Sequence, residues 1–120
     1  MEEQQVEFDG EMEACIENCT ECHRICLEAV QHCLRKGGAH ADPALIRLLL
    51  DCAQICQTSA DFLIRNSELH RETCAACAEV CAHCAEECAE LGGEDAQMQE
   101  CADICAQCAE SCREMASGDN

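Results

Sequence analysis

"CAACAEVCAHCAEEC", residues 74–88, places five cysteines at steps of three, four, three and four. Steps of three and four keep side chains on one face of an α-helix. At about 100° per residue, Cys74, Cys77, Cys81, Cys84 and Cys88 fall within a stripe of about 80°. The same spacing returns twice. "CIENCTECHRIC" opens a series of Cys15, Cys19, Cys22, Cys26 and Cys33, and "CADICAQCAESC" carries Cys101, Cys105, Cys108 and Cys112. Each of these two sets spans roughly 60°. A fourth segment carries the pattern in short form, with Cys52 and Cys56 continuing a line of Leu45, Leu48 or Leu49, Ser59 and Leu63.

Breakers between the segments are few: Gly37-Gly38, Pro43, Asn66-Ser67, Gly92-Gly93 and the "SGDN" tail. They predict one domain over 1–120, with helices at about 11–36, 43–65, 68–91 and 94–116. Asp42-Pro43 suits an N-cap with proline in the first turn. The glycine pairs suit helix stops. Helices of similar length with short links predict an all-α fold, an antiparallel up-down-up-down four-helix bundle. The cysteine stripes then occupy the positions that carry Leu and Ile in an ordinary bundle core.

Sixteen cysteines in 120 residues set the chemistry. As plain packing they would make a thin core, because Cys and Ala bury little area each. As disulfides they fit poorly, because thiols on successive turns of one helix do not meet the required Cβ geometry without strain. The N-terminal "MEEQQVEFDGEME" has no basic stretch, apolar run or cleavage site of a secretory signal. A reducing, cytoplasmic setting is therefore expected, where so many thiols read as metal ligands. No apolar run reaches the roughly 20 residues of a membrane span. A net charge of −18 with seven basic residues disfavours nucleic acid and anionic membranes as partners.

Thiolate selects soft ions: Cu(I), zinc or iron–sulfur clusters. Iron–sulfur proteins favour loop spacings with a Cys-Pro terminus, and no cysteine here precedes proline. Zinc at about four thiolates per ion would use every thiol and leave half of their charge uncompensated. Cu(I) accepts about two or three thiolates and tolerates shared sulfurs. One Cu(I) per cysteine leaves the buried core neutral, as burial requires. A thiol-rich zinc buffer or redox protein is the alternative. Catalysis fits poorly, since no cysteine stands apart as a nucleophile and the Glu-x-x-His pairs of di-iron bundles are absent.

The chain resembles the cytosolic copper storage proteins. The resemblance rests on "ACIENCTECHRIC", "CAQIC", "CAACAEVCAHCAEEC" and "CADICAQCAESC", and covers Met12 to Met115. It implies a four-helix bundle that binds multiple Cu(I) ions through inward cysteines, stores them in the cytosol and assembles as a homotetramer. Family members often carry histidines between the last two helices. Here that link reads "ELGGEDAQMQEC", with Glu94, Asp95 and Met98 and no histidine.

The five histidines divide by position. His83 lies opposite its stripe and should face solvent. His23 and His32 sit on stripe flanks as interhelical or surface groups. His40 is placed at the same end as Cys33, Cys88 and Met98, and is a candidate ligand at that mouth with Met98. His70 falls one turn before Cys74 and is a candidate end ligand. Met12 and Met115 should form a plug with Phe62 and Leu63 at the far end. Leu45, Ile46, Leu48, Leu49 and Leu50 are too many for one inward face, a sign of a further interface.

Overall fold

The computed structural model of the protein describes residues 10–118. The acidic N-terminal stretch read above falls mostly outside them. Four helices follow in order: α1 Gly10–Lys36, α2 Pro43–Ile64, α3 His70–Glu90 and α4 Ala96–Ser117. A short 3-10 turn, Gly38–Ala41, links α1 to α2. Each helix packs on its chain neighbours, and α1 also packs on α4, which closes the ring. The expected up-down-up-down bundle is thus the observed one, with ends displaced by at most two residues.

Local chemistry accounts for the boundaries. α1 begins with Glu11 and Glu13 and ends with Arg35 and Lys36, charges that complement the helix dipole. Gly37 stops it with φ +75°, a conformation that glycine adopts at no steric cost. Asp42 stands at the N-cap of α2 with Pro43 in the first turn, but its side chain makes no capping bond. Asp95 does cap α4, its carboxylate accepting the Met98 N–H at 3.2 Å. Gly92 follows the C-cap Leu91, at the stop expected of it, and has a second role. A Cβ there would meet the Gln99 side chain at 2.8 Å and its Cα at 3.3 Å. Glycine at that point lets the α3–α4 link lie against the start of α4.

All sixteen cysteines are fully buried. Ala29, Ala53, Ala60, Ala78, Ala102 and Ala109 fill the seams between helices. Bulkier groups gather towards the ends: Leu45, Leu49 and Met98 at one, Leu63 and Met115 at the other. Leu49 is the inward partner of Leu45, and Leu48 lies half-buried beside them. Phe62 is not part of the far plug. It lies half-buried with the Arg65 guanidinium 5.0 Å above its ring. Ser59 continues the thiol line of α2, but its hydroxyl donates to the Thr73 carbonyl at 3.1 Å. It is satisfied there, and does not stand as a spare ligand.

Candidate metal centre

Helix periodicity brings the stripes face to face, and the result is a nearly continuous lattice of sulfur. One path runs Cys15, Cys112, Cys19, Cys108, Cys56, Cys81, Cys52, Cys22, Cys26, Cys101, Cys88 and Cys84. Every step lies between 3.5 and 4.0 Å. Cys77 joins it at 3.7 Å from both Cys56 and Cys81. Cys105 joins at 3.7 Å from Cys22 and Cys26. Cys74 lies within 4.8 Å of Cys15 and Cys112. The helix backbones pack only as neighbours round the ring, yet the thiols meet across it. Cys52 reaches Cys105 at 3.9 Å and Cys56 reaches Cys108 at 3.8 Å. These separations are far beyond a disulfide bond of about 2 Å, and all sixteen thiols are free.

Quartets of sulfurs within ligand reach overlap. Cys22 and Cys52 belong both to a set with Cys56 and Cys81 and to a set with Cys26 and Cys105. Cys56 and Cys81 belong again to a set with Cys77 and Cys108. A closed tetrahedral zinc site has four ligands of its own. Overlapping sets suit an ion whose thiolates can be shared.

Protons divide unevenly over this lattice. Hydrogen bonds from Cys105 and Cys26 pull the Cys101 thiol below its ordinary value. The donors move the other way: the bond to Cys101 is the largest effect raising both Cys26 and Cys105. Cys33 stands apart from the path. Burial, with the nearby negative charge of Cys101 and Asp95, pushes its thiol up to about 11. It donates to the Met98 thioether at 3.6 Å. A metal ion entering the lattice displaces these protons, because the thiolate is the ligand.

The candidate end ligands lie in unequal settings. Met98 is fully buried against Cys33. His40 does reach the same end, and its Nε2–H donates to Asp95 at 3.0 Å. His70 donates from Nδ1 to the Ser67 carbonyl at 2.9 Å. His83 is two-thirds exposed, as expected, and His23 donates from Nδ1 to the Ala53 carbonyl at 2.8 Å, an interhelical bond. His32 is the histidine whose setting the sequence did not convey. Its Nε2–H donates to Asp95 at 2.8 Å, and Lys36 Nζ adds a third donor at 3.1 Å. Hydrogen bonds from His32 and Lys36 and from the Met98 N–H hold the Asp95 carboxyl well below the usual carboxylate range. The i, i+4 spacing of His32 and Lys36 was a signal. Their partner, some 60 residues away in a loop, was not.

The family model for copper storage proteins matches residues 9–117. The chain is similar in structure to Nmul_A1745 from Nitrosospira multiformis, with 43% identity and a TM-score of 0.85 over 92% of this chain and 98% of that one. It is similar to the Cu(I)-bound copper storage protein BsCsp3, at 36% identity and a TM-score of 0.82, covering 89% and 99% of the two chains. A cytosolic copper storage protein from Streptomyces lividans, loaded with five coppers, gives 32% identity and a TM-score of 0.78 over 92% and 95%. Among curated proteins, a 37% identical match to the uncharacterized cysteine-rich protein YhjQ of Bacillus subtilis spans 56% of this chain and 62% of that protein. With nearly its whole described length matched, the chain belongs to the copper storage protein family.

Proposed function

We propose that this protein stores Cu(I) in the cytosol, on all sixteen cysteines, at about one ion per thiolate. The observation that carries this reading is the near-unbroken sulfur lattice with overlapping ligand sets. Neutral charge follows at that loading, since each Cu(I) displaces one proton and balances one thiolate. The Cu(I)-bound and copper-loaded relatives support the same reading. Storage fits better than catalysis, because the thiols contact one another and Met98 rather than a base. Among the described residues no helix is long and apolar enough to cross a membrane.

Uptake runs through the end that carries Cys33 and Met98. Met98 is a soft thioether seated on the outermost thiol of α1, and His40 stands beyond it beside Asp95. His70 serves at the opposite end, where its Nδ1–H is committed to Ser67 and Nε2 carries the lone pair. A homotetramer is proposed from the family resemblance. Exposed Leu27, Leu34 and Leu50 on α1 and α2 give it an apolar surface.

Anaerobic titration of the reduced protein with Cu(I) against a competing chelator tests the storage reading. Tight binding that breaks near one copper per cysteine is expected. A break at a few equivalents would move the thiols to the zinc or redox alternative.

A further inference from the structure

Asp95 collects four donors on its two oxygens. Oδ2 lies 2.8 Å from His32 Nε2, 3.0 Å from His40 Nε2 and 3.1 Å from Lys36 Nζ. Oδ1 takes the Met98 N–H at 3.2 Å and a second approach from His32 at 3.1 Å. An ionised carboxylate has about four lone-pair sites over two oxygens, so these four donors fill it, with His32 shared between Oδ1 and Oδ2. The carboxylate is only 7% exposed, and the two imidazoles are 14% and 20% exposed. Three elements supply the group: α1, the 3-10 turn and the N-cap of α4.

We propose that His32, His40 and Asp95 form a second metal site, for a borderline divalent ion such as Zn²⁺, separate from the Cu(I) lattice beneath it. Imidazole with carboxylate is a borderline to hard donor set, whereas the lattice is all sulfur. Geometry favours the same conclusion. Ligands about 2.05 Å from a tetrahedral zinc stand about 3.3 Å apart. The observed Nε2–Oδ2 separations are 2.8 and 3.0 Å, so these two edges lie within a few tenths of an ångström of what an ion needs. Lys36 already places a positive charge on the shared oxygen. Its side chain is 46% exposed and can swing to water, leaving its place to the ion. The ion takes the Nε2 lone pair of each imidazole, so the proton a bound ring keeps is on Nδ1. The Met98 N–H keeps the carboxylate oriented throughout. Water takes the fourth position.

An ion held there ties together three elements that otherwise meet through hydrogen bonds, directly above Met98 and Cys33. The site goes beyond the storage role, and its test keeps the two apart. Reduced protein is first loaded with Cu(I) until the thiolates are saturated, and copper is counted. Zn²⁺ is then added, and metal retained after gel filtration is measured. One zinc beyond the copper load is expected. H32Q and H40Q should each weaken it by more than about tenfold, H83Q should leave it unchanged, and K36M should tighten it about tenfold by removing the competing charge. Co²⁺ in place of Zn²⁺ should give visible ligand-field bands without thiolate-to-cobalt charge transfer. No zinc beyond copper, zinc unchanged in both histidine variants, or a thiolate charge-transfer band would each overturn the site. Should copper fail to load, the storage reading fails in the copper count, and loss of one bound zinc from the apo protein in H32Q and H40Q, but not in H83Q, still decides for or against the His–His–Asp site.

Discussion

The two ends of the bundle are built on opposite plans. At the far end, Cys15, Cys74 and Cys112 from three helices lie within 4.8 Å of one another, beneath Leu63 and Met115, both buried. Apolar side chains close the tube there. At the near end the outermost sulfurs are Cys33 and Met98, and above them stands a buried carboxylate held by His32, His40 and Lys36. One end excludes water. The other offers polar groups that a cation can displace. The difference is what the proposed uptake at the polar end rests on: apolar closure at one end, displaceable polar groups at the other.

The largest effect should appear when copper is added, and it should extend to both ends. Binding to the folded state alone stabilises by about 4 kcal/mol at a thousandfold excess over Kd. Copper-loaded protein should therefore resist denaturant well beyond the apo form, and hydrogen exchange should slow at α1 termini on both ends. Slowing at one end only would show that the lattice fills partially.

Leu63→Ala should destabilise the apo protein by about 2–5 kcal/mol, the range for a fully buried leucine. Chemical denaturation measures it. A loss below about 1 kcal/mol would mean that the far end is not sealed by apolar packing.

Asp95→Ala should cost about 1–2 kcal/mol, since it removes a helix cap and three further donors lose their acceptor. Asp95→Asn keeps the cap and loses only the charge. The pH dependence separates them. Because the folded-state carboxyl is held below its ordinary value, its stabilisation is full above pH about 4 and declines as the pH falls through the folded value. The gap between the natural protein and D95N should therefore narrow on acidification below pH 4. A gap that widens there would reverse the assigned sign.

Cys33→Ser should lower the copper capacity by about one ion and leave the rest of the lattice intact, because its sulfur contact is with Met98. Cys112→Ser should lose more, since Cys112 touches Cys15, Cys19 and Cys108. Equal losses would mean that the near end is as much a part of the lattice as the far one. Least of all, Arg24→Ala should leave the midpoint of chemical denaturation unchanged. Its bridges to Glu21 and Glu28 are half-exposed, and such pairs contribute little.

The same contrast separates what sequence conveys from what it withholds. The tube is a repeat. Steps of three and four on each helix, bounded by Gly37-Gly38, Pro43 and Gly92-Gly93, are enough to fix four helices and to turn the cysteines inward, because periodicity alone decides which face is buried. The polar end has no repeat. His32 lies on the flank of a stripe, His40 in a link and Asp95 in another link, so their meeting depends on how two loops fold over one mouth. Gly92 shows the same limit at smaller scale. A glycine pair reads as a helix stop, while the second role of this glycine is the approach of Gln99. Ser59 continues a thiol line by register, yet its hydroxyl is taken by a carbonyl of α3.

X-ray absorption at the copper edge of the fully loaded protein tests the shared lattice most directly. Shared thiolates require low sulfur coordination at each Cu(I) together with short copper–copper scattering, both persisting to the last equivalent. Four sulfurs per metal with no metal–metal scattering would mean separate closed sites, and would contradict a continuous store.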